Sequence, residues 1–131
     1  MSWDSHIDAM KSSGADDCCI CGQDGNIWGK SAGLNNITQQ ELAVIIKAAK
    51  GQVIQDGEKL ELNGIPLMKV KELDGPNTGC NFVTKQTGEK ELCCAALSGK
   101  GVVIVKKGGQ NQRKAVDLCE RQVQYLKDSG Y

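Results

Sequence analysis

The chain has 131 residues, enough for one ordinary hydrophobic core and too few for two, so a single domain over residues 1–131 is expected. Sixteen Lys and Arg balance sixteen Asp and Glu, which excludes a global field drawing the chain to nucleic acid and leaves only local charged patches for recognition. No segment approaches the roughly 20 apolar residues that cross a bilayer, and no basic stretch followed by an apolar run opens the sequence, so a cytoplasmic protein is expected.

In chain order, apolar residues at positions 3, 7 and 10, with Ser2 as N-cap and Asp4 in the first turn, predict a short amphipathic helix. Residues 17–22 and 26–30 read as two strands joined by Gln23-Asp24-Gly25, whose Asp-Gly suits the positive backbone angles of a hairpin turn. Thr38 and Glu41 form a capping box, Ile37 and Leu42 a hydrophobic staple, and Leu42, Ile45, Ile46 and Ala49 an apolar stripe. With Lys47 and Lys50 near its end and Gly51 as a left-handed stop, this helix spans about 39–50.

Turn residues then punctuate short runs: Asp56-Gly57, Asn63-Gly64, Gly75-Pro76-Asn77, Thr87-Gly88 and 98–101. They predict an antiparallel meander with strands near 53–55, 60–63, 66–72, 80–85, 90–97 and 101–107. Residues 111–129, with Ala115, Leu118, Cys119 and Leu126 on one side, close the chain as a helix. The fold class is α+β: a central antiparallel sheet with the terminal helices on one face and a further helix on the other.

Seven cysteines are an odd number, and without a secretion signal reduced thiols are expected. Cys18-x-x-Cys21 has the spacing of half a zinc site, but no second pair follows, and alternation along a strand points the two thiols to opposite faces. No metal and no cofactor are expected, and a thiol redox protein is the remaining enzyme reading. His6 is the single histidine, and the sequence has no G-x-S-x-G, H-E-x-x-H or phosphate-loop motif, so the reading is a binding protein and not an enzyme. Gly99-Lys100-Gly101 and Lys107-Gly108-Gly109 suit turns.

Four of the five aromatic residues, Trp3, Trp28, Tyr125 and Tyr131, fall in the terminal helices and the early hairpin, leaving Phe82 alone in the late sheet. Flat rings with polar handles are what a polyproline II ligand needs; packing of Trp3 and Trp28 in the core is the alternative. Ser2-Trp3-Asp4, the segment Gly22-Gln23-Asp24-Gly25-Asn26-Ile27-Trp28-Gly29-Lys30-Ser31 and the ending 120–131 resemble the profilin family. The resemblance implies a groove for proline-rich segments formed by Trp3, His6, Trp28, Tyr125 and Tyr131. His6 stands where the family usually has Tyr.

The resemblance also implies actin-monomer binding on the later strands and the start of the last helix, near Lys71, Lys85, Lys106, Lys107, Arg113, Lys114, Asp117 and Arg121. Anionic phosphoinositides at the same basic residues, proline-rich actin nucleators and elongation factors as partners, and a place in the cytoskeleton follow as expectations. A module of the same fold that serves peptides or lipids without actin is the alternative, because 52–110 matches the family in turn pattern more than in residue identity.

Overall fold

The computed structural model describes residues 3–55, 57–72, 79–85, 90–109 and 112–131. The expected cap at Ser2 and the turns at Gly75-Pro76-Asn77 and Thr87-Gly88 lie outside them, as does Asp56 of the Asp56-Gly57 turn. The elements are α1 (Asp4–Ser12), β1 (Asp17–Gly22), β2 (Ile27–Lys30), a 3-10 turn (Ala32–Leu34), α2 (Gln39–Ala49), β3 (Glu61–Leu62), β4 (Ile65–Glu72), β5 (Gly79–Thr84), β6 (Leu92–Leu97), β7 (Gly101–Lys107) and α3 (Lys114–Asp128). The strands form one antiparallel sheet in the order β2-β1-β7-β6-β5-β4-β3. The described helices are too short or too polar to cross a membrane.

Two apolar layers cover the sheet. On one side α2 and the 3-10 turn pack Leu34, Leu42, Ile45 and Ile46 over Cys19, Cys21, Phe82, Cys93, Val102 and Ile104. On the other, α1 and α3 bring Ile7, Met10, Ala115, Leu118, Cys119 and Leu126 onto Cys18, Ile20, Cys94, Val103 and Val105. Consecutive residues of β1 and of β7 thus feed opposite layers, the period-two alternation of a strand buried on both faces. This is the α+β sandwich expected from the element order.

The start of α2 follows its sequence closely. Thr38 Oγ1 accepts from the Glu41 N–H at 3.1 Å and Glu41 Oε1 accepts from the Thr38 N–H at 3.0 Å, while Ile37 and Leu42 are both buried. Glu41 does more than cap, because its carboxylate also accepts from the N–H groups of Asn63 (3.2 Å) and Gly64 (2.8 Å) in the β3–β4 hairpin. That hairpin turns through Asn63 at φ 54° and Gly64 at φ 81°, both left-handed, as Asn-Gly favours.

The strand expected near 53–55 is absent: Glu58 Oε1 takes the Gln55 N–H at 2.8 Å, and the Glu58 N–H returns to the Gln55 carbonyl at 3.1 Å. A local turn therefore consumes the groups a ladder would use, and Val53 is left exposed. Lys47 Nζ lies 2.7 Å from Glu58, and this bond, followed by the one from Gln55, holds the Glu58 carboxyl below the usual carboxylate range.

Candidate functional site

The rings predicted as a group are a group. Trp3 and Trp28 stack with centroids 5.0 Å apart and planes 29° from parallel, and Tyr131 sets its ring edge against both, at 5.2 and 5.8 Å. One helical turn after Trp3, His6 lies 5.5 Å from the Trp3 ring and 5.0 Å from Tyr125. The five rings form one strip across α1, β2 and the C-terminal half of α3, with Tyr125 exposed and the other four half-buried. Trp3 and Trp28 pack against the α1/α3 layer and remain half-exposed.

Glycines make the strip possible. Gly22 and Gly101 are direct cross-strand partners, and a methyl group on them would stand 3.3 Å from Trp28 Cζ2 and 3.0 Å from Trp28 Cζ3. The indole thus lies on bare backbone, and a methyl on Gly29 would stand 3.0 Å from Trp3 Cβ. The terminal helices meet at His6, whose Nδ1 lies 3.3 Å from Gln122 Nε2. With the amide donating, Nδ1 accepts and Nε2 carries the ring proton as a hydrogen-bond donor. No sequence signal singles out Gln122, because its partner sits 116 positions away in the chain.

The thiols are enclosed. All seven are free and buried, and Cys18 and Cys21 belong to opposite layers, so they cannot share a metal or exchange as a pair. Among the described residues no group of three or more His, Cys, Asp or Glu is placed to hold an ion. Burial, followed by the neighbouring Asp17 carboxylate, pushes the Cys18 thiol up to about 12. Burial likewise raises Cys93 and Cys119. Each is the opposite of what an attacking thiolate requires.

The charged residues expected on the later strands separate into sets. Register places Met68, Val83, Leu92 and Lys107 in one row across four strands, and Lys71, Asn81 and Cys94 in the next, on the α3 side of the sheet. Among the described residues α3 rests on β6 and β7, and beyond them on this side Met68 and Val70 of β4 are exposed beside Lys71 while Asn81 and Val83 of β5 are half-buried. Arg113, Asp117 and Arg121 are exposed at four-residue spacing along α3, Lys85 is exposed beyond β5, and Lys114 lies against Gly14. Lys107 pairs with Asp16 at 3.9 Å.

Lys106 is a correction. It points to the opposite sheet face from Lys107, is only 8% exposed, and sits 3.5 Å from Asp17 and 3.6 Å from Glu91, so it belongs to an internal ion-pair cluster and not to that surface. Charge patterning does not single out the apolar neighbours Met68, Val70 and Val83 on this face. Their signal was a strand, Ile65–Glu72, with apolar residues on both faces.

The family description "Profilin" matches residues 1–131 of this sequence. The chain belongs to the profilin family. It is 29% identical over 133 residues to profilin of Drosophila melanogaster, covering all of both chains. Its fold is similar to mouse profilin IIa, solved in complex with a double repeat from the FH1 domain of mDia1, at TM-score 0.80, 21% identity and full coverage of both chains. It is also similar to LokiProfilin2, solved in complex with rabbit actin, at TM-score 0.67 and 19% identity over 95% of each chain. At these identities the two solved structures show the fold alone, a profilin fold.

Proposed function

We propose that this chain binds proline-rich segments on its aromatic strip and actin monomers on the α3 side of β4 and β5, so that one molecule hands actin to proteins that nucleate or elongate filaments. The five-ring strip carries the reading. A polyproline II helix presents flat proline faces and carbonyls that no internal hydrogen bond uses, and Trp, Tyr and His supply rings to stack on and N–H or O–H donors to reach those carbonyls. Successive centroid steps of 5.2, 5.5 and 5.0 Å from Tyr131 through Trp3 and His6 to Tyr125 span at most about five residues at the ~3.1 Å rise of that helix.

The actin surface would centre on Met68, Val70 and Val83, with Lys71, Lys85, Lys107, Arg113, Lys114, Asp117 and Arg121 as charged surroundings that set encounter rate and orientation. The occurrence of the same fold in a profilin solved with formin repeats and in another solved with actin supports the pairing of ligands. Anionic phosphoinositides would compete at the basic residues, each adding about 1 kcal/mol near a charged leaflet. The role is that of a binding protein at the cytoskeleton, with no bound cofactor required.

Trp3→Ala separates the two surfaces. Calorimetric titration should show polyproline affinity falling at least about tenfold, while pull-down of actin monomers is unchanged. Retained peptide binding by the folded variant would refute the groove, and absence of actin from the wild-type pull-down would refute the second surface.

A further inference from the structure

The turn between β6 and β7 supplies something the strip needs. Ser98 is buried, and its Oγ accepts from the Gly101 N–H at 2.9 Å while its hydroxyl donates to the main-chain oxygen of Tyr131 at 3.0 Å. The Lys100 N–H donates to the same Tyr131 oxygen. The turn is itself braced from the loop that joins β1 to β2, because Gln23 Nε2 donates to the Ser98 carbonyl at 2.7 Å and the Gln23 N–H to the Lys100 carbonyl at 3.0 Å. On the helix side the Tyr131 N–H donates to Leu126 O at 2.8 Å. Tyr131 follows the end of α3, where a backbone held only by the helix would lose the fixed ring edge that meets Trp3 and Trp28.

We propose that Ser98 is a positioning residue for proline-rich peptide binding: its hydroxyl fixes Tyr131 so that the ring stands ready in the strip, although Ser98 belongs to the turn and not to the strip. The inference rests on the reading of the strip as a peptide groove. Pre-organisation is the physical content, since a ring already fixed pays no ordering entropy when the ligand docks. Ser98→Ala removes the donor to Tyr131 and the acceptor for Gly101 together.

The test is a calorimetric titration of a long polyproline peptide into the full chain, Ser98→Ala, Ser98→Thr, Tyr131→Ala and the Ser98→Ala/Tyr131→Ala pair. Ser98→Ala should bind roughly threefold to tenfold more weakly, the loss expected for one hydrogen bond, and Ser98→Thr, which keeps the hydroxyl, should bind like the wild type. The double variant should bind no more weakly than Tyr131→Ala, because both changes act through one ring. Wild-type affinity in Ser98→Ala, or additive losses in the double variant, would overturn the proposal. Hydrogen exchange without ligand keeps the two readings apart: the Lys100 and Tyr131 amides should exchange faster in Ser98→Ala, and unchanged exchange would overturn the anchor itself. A wild type that binds no peptide would instead refute the groove.

Discussion

The two sides of the sheet share the same strands and are covered differently. The α2 side is closed: Phe82, Leu42, Ile45, Val102 and Ile104 are fully buried, and its polar groups are tied to one another, as in the Asp17–Lys106–Glu91 cluster. The α1/α3 side is covered only in its middle. At the β2 edge the two helices leave a wall of rings, and toward the β3 edge they leave Met68 and Val70 open. Two separate surfaces arise on one sheet face because the two helices bury its middle and leave the ends of a seven-stranded sheet less covered, while both layers contribute fully buried core.

Substitutions in each layer test that division. The largest effect belongs to Phe82→Ala, which empties the α2 layer and should cost about 3–5 kcal/mol in denaturant unfolding. The folded fraction should still bind polyproline as before, and a parallel loss of affinity would show that the layers are not separable. Next comes Glu41→Ala, which strips the acceptor from the Thr38, Asn63 and Gly64 N–H groups. It should cost about 1–3 kcal/mol and leave both ligands' affinities unchanged. Met68→Ala should do the reverse, weakening actin-monomer binding by about 1 kcal/mol with little change in melting temperature.

A pH dependence confined to alkaline solution tests whether the α1/α3 layer is dry. Folding raises the Cys18 thiol to about 12, whereas an unfolded thiol ionises near 8.5, so the folded state holds a proton that the unfolded chain releases. Its contribution to stability is fully present below about pH 8.5 and is lost as pH rises through about 12. Unfolding midpoints measured across that window should fall with pH, and less steeply in Cys18→Ala. An equal slope in the variant would mean that water reaches the layer.

Much of this arrangement was legible in the sequence because it depends on local chemistry. The Thr38–Glu41 box, the Asn63-Gly64 turn and the alternation of β1 each act within a few residues, and each appears where expected. The aromatic strip was legible for another reason: rings are scarce in this chain, and four of its five aromatic residues fall in elements that layer packing brings together. What was hidden depends on distant partners. Lys106 reads as a surface lysine until Asp17 and Glu91 close on it, Val53 reads as a strand residue until Glu58 captures the Gln55 N–H, and Ser98 reads as a turn residue until Tyr131 arrives from 33 positions away.

The proposed function requires the strip to be a ligand surface and not merely the margin of a core. Intrinsic tryptophan fluorescence during titration with a long polyproline peptide tests it most directly, because Trp3 and Trp28 are the only tryptophans and both lie in the strip. A saturable change that disappears in Trp3→Ala is the predicted result; an unchanged spectrum, with no heat of binding by calorimetry, would contradict it.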